Sequence, residues 1–213
     1  MNIQYTVVKV PSCFGASASY KFFRHTEGSD RLAVLFPGHG YTLDAPVMWY
    51  VARAALEAGY DVLGVEYGFQ ANRAAVQADK IPTVAREVAT GLERCLEGVS
   101  YGRYVFVAKS LGTDVARLTS STVSFPVEGY IFLTPLPRTV PFIESSGSML
   151  VLVGGYDPLF TDSDISRISA LSHVTLQVFP EADHGLEIDG NVTQSLVTLQ
   201  ETTELCRDFL KSL

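Results

Sequence analysis

The chain has 213 residues, of which 47% are hydrophobic and 18% charged. This composition excludes a disordered polymer, and the length suits a single α/β domain over residues 1–213 that buries roughly 70% of its unfolded surface. A formal net charge of −7 argues against nucleic acid or an anionic membrane as partner, because both are bound by basic patches.

The first residues, Met1-Asn2-Ile3-Gln4-Tyr5, offer neither a basic n-region nor an apolar h-region, so no signal peptide is expected. No apolar run approaches the ~20 residues of a membrane span. Cys13, Cys95 and Cys206 are odd in number and widely spaced. They read as reduced thiols of a cytoplasmic protein, with Cys95 and Cys206 on buried helix faces.

Tyr5 to Val10 and Ser19 to Arg24 are strand-like and joined by a short connection, which suggests a hairpin or meander. Arg31 to Phe36 is a continuous apolar strand broken by Pro37-Gly38-His39-Gly40-Tyr41. Val47, Val51, Ala54, Ala55 and Ala58 have helical spacing, closed by Gly59, and Tyr60 to Val65 is the next strand. Residues 68–79 carry no clear period. Val84, Val88, Leu92, Cys95 and Leu96 mark a long amphipathic helix after Pro82.

A strand over 104–107 then meets Ala108-Lys109-Ser110-Leu111-Gly112, followed by helix to about Thr119 and a strand over Val127–Leu133. A proline-rich loop and a short segment at Phe142-Ile143 lead to a strand over Met149–Val153, which ends in Gly154-Gly155-Tyr156-Asp157-Pro158. Ile165–Leu171 reads as helix and Val174–Phe179 as the last strand. Val192, Leu196, Leu199, Cys206, Phe209 and Leu213 trace one face of a C-terminal helix. Alternation of strand and helix from residue 31 onward predicts a mostly parallel sheet of about eight strands with helices on both faces.

The stretch that organises this pattern is the serine between small residues at a strand-to-helix turn. Such a turn pushes the serine Oγ above the sheet edge in a strained backbone conformation and sets it at a helix N-terminus. Ser110 alone could equally be a helix cap. In a parallel sheet, however, functional groups gather at the C-terminal ends of the strands. Segments bearing His39, Ser110, Asp157 and His184 all follow strands. A serine nucleophile needs a base for its proton and a carboxylate to orient that base. The chain supplies Ser110, Asp157 and His184 in that order. Asp162 and Asp164 compete for the acid role and His39 for the base. Asp183 adjoins His184 and points elsewhere, and Glu128 starts a strand on the wrong edge.

With these segments in view the chain resembles the α/β-hydrolase family, whose nucleophile sits on a strand-turn-helix elbow and whose triad runs Ser, Asp or Glu, His. The likeness rests on Phe36-Pro37-Gly38-His39-Gly40-Tyr41, Ala108-Lys109-Ser110-Leu111-Gly112, Gly154 with Tyr156-Asp157-Pro158, and Ala182-Asp183-His184-Gly185, and extends over nearly the whole chain. The usual glycine two residues before the nucleophile is Ala108 here. The resemblance implies Ser110 as nucleophile, His184 as base and then acid, and Asp157 as orienting carboxylate. It also implies an oxyanion hole from the Leu111 and Tyr41 backbone N–H groups.

The resulting expectation is a serine hydrolase acting on a small-molecule carboxylic ester, with neither metal nor organic cofactor. A non-catalytic binding protein on the same fold is the alternative, as is an acyltransferase or thioesterase using the same triad. Lys109, beside the serine, either attracts a negative substrate group at the mouth or packs and pairs at the rim. Tyr41, Trp49, Tyr50, Phe69, Leu136, Phe142 and Phe160 are candidates for an acyl pocket. Between Leu133 and Met149 there is little room for a helical lid, which predicts an open, shallow site unless residues 68–79 cover it.

Overall fold

The computed structural model describes residues 1–213. Its strands are β1 (Ile3–Ser12), β2 (Gly15–His25), β3 (Arg31–Phe36), β4 (Asp61–Gly64), β5 (Arg103–Lys109), β6 (Gly129–Leu133), β7 (Ser148–Gly154) and β8 (Val174–Phe179). They form one eight-stranded sheet in the order β1-β2-β4-β3-β5-β6-β7-β8. β2 is antiparallel to both neighbours, and every pair from β4 to β8 is parallel. The hairpin register shifts between Val10 and Ser12. Pro11 lies there and has no N–H to give the ladder, so a bulge is the local solution.

The helices are α1 (Pro46–Glu57), α2 (Gly68–Ala71), α3 (Ile81–Cys95), α4 (Leu111–Ser120), α5 (Val140–Ser145), α6 (Asp162–Ser169) and α7 (Val192–Ser212). Proline in the first turn of α1, α3 and α5 costs no hydrogen bond there. Alternation along the central strands sends side chains to two cores. Val34, Phe106, Phe132 and Val151 face α3, α4, α5 and α6, whereas Leu35, Val107, Ile131 and Leu152 face α1 and α7. The central strands are buried on both faces, which is why they read as unbroken apolar runs.

Three segments differ from expectation: on α7, Val192 and Leu196 are exposed and the buried face is Thr198, Thr202, Cys206 and Leu210. Helix α6 begins at Asp162, not Ile165, because Thr161 and Asp164 form a reciprocal capping box. Residues 68–80 hold the four-residue α2 and a 3₁₀ turn at Ala78–Lys80, both too short for a period to emerge. The stretch between β6 and β7 forms a turn and then α5, whose Val140 and Ile143 are fully buried. Through these residues it packs down into the core. No helix is long and apolar enough to cross a membrane.

Candidate active site

Ser110 stands between β5 and α4 with φ 51° and ψ −119°. A non-glycine residue at positive φ costs on the order of 1–3 kcal/mol, held here by its surroundings. Its N–H donates to Leu133 O at 3.0 Å, and its carbonyl accepts from Thr113 N–H and Thr113 Oγ1. The side chain thus makes no N-terminal cap bond and is left for other partners. Gly112 is required by close approach: a Cβ there would lie 2.2 Å from Phe36 O and 2.6 Å from Pro37 O.

Ser110 Oγ lies 2.7 Å from His184 Nε2, and His184 Nδ1 lies 2.7 Å from Asp157 Oδ2. The carboxylate accepts from Nδ1–H, so Nε2 carries the lone pair that faces the hydroxyl. The second Asp157 oxygen accepts from Leu159 N–H at 2.8 Å. The Asp157 side chain is fully buried and that of His184 is 27% exposed, so the imidazole opens to solvent and the carboxylate does not. Gly154 permits this meeting of loops, since a Cβ there would sit 2.3 Å from the carbonyls of Ala182 and Asp183. Asp183 Oδ1 accepts from the N–H groups of Gly185 and Glu187, shaping the turn that presents His184.

The rivals lie apart. Asp164 caps α6, and Glu128 pairs with Arg103 at 3.0 Å. His39 makes no hydrogen bond to Ser110 and stacks on Phe69, with ring centroids 5.9 Å apart. His25 is held by Asp61 and Leu56 O, and His173 Nε2 by Ile143 O.

The loop after β3 carries the Tyr41 N–H expected at an oxyanion hole. The Tyr41 N–H is turned back onto Gly38 O at 3.4 Å, and the Tyr41 hydroxyl accepts from Val47 N–H. Gly38 O also accepts from Gln70 Nε2 at 2.8 Å, and Pro37 O from the Tyr67 hydroxyl at 2.9 Å. Residues 67–70 therefore brace this loop. The N–H groups of His39 and Leu111 have no hydrogen-bond partner in the structure.

Lys109 is 2% exposed and lies beneath the site, not at its mouth. Burial lowers its pKa to about 8 despite the nearby carboxylates of Asp157, Asp183 and Glu187. The expected acyl-pocket aromatics are largely core. Phe69 and Phe160 are buried, and Phe142 packs edge-on against Tyr130 at 5.1 Å. Trp49 and Tyr50 are 40% and 49% exposed on α1. Cys206 is buried, Cys95 half-buried and Cys13 exposed, all free. No three His, Cys, Asp or Glu side chains converge as metal ligands.

A parallel sheet with two helical layers and a serine on the turn after its central strand is an α/β-hydrolase architecture. The family model for the alpha/beta hydrolase domain matches residues 29–211, and the chain belongs to that family. No curated protein matches it. Among solved structures it is similar to an esterase of Pyrococcus furiosus, at 17% identity over 99% of this chain and 93% of that one, with a TM-score of 0.72. It is similar to an alpha-beta serine hydrolase homologue of Coxiella burnetii, at 14% identity over 96% of each chain and a TM-score of 0.73. A serine hydrolase without a lid from Xanthomonas campestris aligns at 13% identity over 98% of this chain and 94% of that one, with a TM-score of 0.71. At such identities these neighbours bear on the fold.

Proposed function

We propose that the protein is a serine hydrolase of carboxylic esters, in which Ser110, His184 and Asp157 act as nucleophile, base and orienting acid. The observation that carries this reading is the Ser110–His184–Asp157 chain, with 2.7 Å at both links, built on a positive-φ serine. His184 Nε2 takes the Oγ proton as Oγ attacks the ester carbonyl. The tetrahedral oxyanion collapses, the alkoxide leaves with the proton from His184, and an acyl-enzyme remains. Water, deprotonated by the same nitrogen, then releases the acid and Ser110. Asp157, closed off from water, stabilises the imidazolium that forms at each step.

The oxyanion hole in this reading uses the Leu111 N–H at the start of α4 and the His39 N–H, two residues earlier than expected. Gly38 O is held away by Gln70 and Tyr41, and a trans peptide then sends the His39 N–H the opposite way. A Cβ on Gly38 would be 3.4 Å from Ser110 Cβ, so this peptide runs beside the nucleophile. With Val140 and Ile143 of α5 buried in the core, the reading favours small or exposed acyl groups. The esterase named among the structural neighbours agrees with the ester class without fixing it. A panel of p-nitrophenyl esters of rising acyl length tests the reading. Turnover of short esters that is lost in Ser110→Ala is expected, and equal turnover by both proteins would overturn it.

A further inference from the structure

The ammonium of Lys109 donates two hydrogen bonds and faces one aromatic ring. Nζ donates to Thr134 Oγ1 at 2.8 Å and to His184 O at 2.7 Å, and it lies 5.0 Å from the centroid of the Tyr41 ring. These three contacts come from the end of β6, the loop after β8 and the loop after β3. Lys109 itself ends β5, one residue before the nucleophile. One buried charge therefore joins four of the segments that surround Ser110.

The same spot concentrates backbone strain. Four non-glycine residues have positive φ: Arg73, Ser110, Thr134 and Leu186. Ser110 follows Lys109 directly, Thr134 is its hydroxyl partner, and Leu186 lies two residues after its carbonyl partner. A β-branched threonine at φ 43° needs an external hold, and the ammonium on its hydroxyl supplies one.

We propose that Lys109 is a positioning residue: its protonated amine clamps the carbonyl of His184 and the hydroxyl of Thr134 around Ser110, and loss of that proton loosens the base and sets the alkaline limit of activity. The inference rests on the triad reading above. Loss of the proton leaves two N–H groups for the two oxygens but takes away the charge that strengthens both hydrogen bonds and the attraction to the Tyr41 ring. The groups facing the ammonium are Asp157 after β7, Asp183, His184 and Glu187 after β8, Thr134 after β6 and Tyr41 after β3. The three carboxylates favour the charged form and burial opposes it, which leaves the proton exchangeable near pH 8.

The test is the rate of Ser110 labelling by a fluorophosphonate probe between pH 6 and 10, read by intact mass, with circular dichroism at each pH and a control hydrolase to correct for probe decay. The expected parent profile falls above about pH 8 while the fold persists. Lys109→Met labels roughly 10- to 100-fold more slowly at neutral pH and has no alkaline fall, the size expected from about 1 Å of misplacement. Lys109→Arg keeps a permanent charge, so it recovers part of the rate and also lacks the fall. Thr134→Val removes one acceptor from the ammonium and moves the fall roughly one pH unit lower. If Lys109→Met does not fold, the parent and Thr134→Val profiles decide. A folded Lys109→Met labelled within twofold of the parent, or a fall that Thr134→Val and Lys109→Arg leave in place, overturns the clamp while the triad stands. A parent never labelled at Ser110 overturns the triad, and the clamp with it.

Discussion

Replacing Gly112 by alanine tests how the elbow is built. The added Cβ would lie 2.2 Å from Phe36 O, 2.6 Å from Pro37 O and 2.8 Å from Phe36 C, all backbone atoms at the end of β3. No side chain can rotate away to make room. Restoring ordinary contact takes about 1 Å of separation between α4 and β3. That movement carries Ser110 and the Leu111 N–H away from His184, whose loop is anchored on other strands. Overpacking of this kind costs about 1–3 kcal/mol, and a 1 Å displacement of a nucleophile costs about 100-fold in rate. Urea titration measures the first quantity and fluorophosphonate labelling of Ser110 the second. Ala108→Gly is the contrast: Ala108 already carries a buried Cβ. Its replacement should cost only the ~0.5–1 kcal/mol of a strand glycine and leave labelling near the parent rate. Gly112→Ala that folds with parent stability and labels within twofold of the parent would refute this account of the elbow.

Two further outcomes follow from the same geometry. Gln70→Leu frees Gly38 O on the side away from the nucleophile, so the His39 peptide can turn. Ester turnover should fall at unchanged KM, by less than the ~100- to 1000-fold of losing an oxyanion donor outright. Unchanged kcat would return the second donor to open question. Stability should also depend on Lys109 at alkaline pH. Burial lowers its folded pKa to about 8 from the ordinary 10.5, so between these values the unfolded chain binds more protons and the Lys109 contribution to stability rises with pH. The Lys109 contribution reaches at most about 3 kcal/mol, and it is opposed from about pH 9 by the buried thiols Cys95 and Cys206 and from about pH 10 by tyrosines raised by burial, such as Tyr20, Tyr67 and Tyr101, all of which ionise first in the unfolded chain. Urea titrations across pH 8–10 should show the parent gaining stability relative to Lys109→Met, with the buried thiols Cys95 and Cys206, raised above 9, lowering the stability of both alike.

The parts of the fold that sequence made legible are those set by local pattern. β3 and β8 have the expected bounds, and the amphipathic face of α3 buries as its spacing requires, whereas on α7 the buried face is Thr198, Thr202, Cys206 and Leu210, and the expected Val192 and Leu196 are exposed. The start of α6 was also written locally, in Thr161-x-x-Asp164, a capping signal that apolar period alone passes over. What was not legible depends on distant partners. The orientation of the Gly38–His39 peptide is set by Gln70 on α2, and α2 exists because Phe69 and Tyr67 are buried by tertiary packing. The chain order of Ser110, Asp157 and His184 was readable, whereas the depth of Lys109 was not. A lysine beside an exposed serine suggests the rim, and only Thr134 and His184, drawn in from two other strand ends, explain how its charge is buried.

The central claim is that Ser110 is activated by His184, and intact mass after fluorophosphonate treatment at neutral pH tests it most directly. The account predicts one adduct on the parent protein, none on Ser110→Ala and a far slower one on His184→Ala. No adduct under conditions that label a control hydrolase, or an adduct that survives in Ser110→Ala, would contradict it.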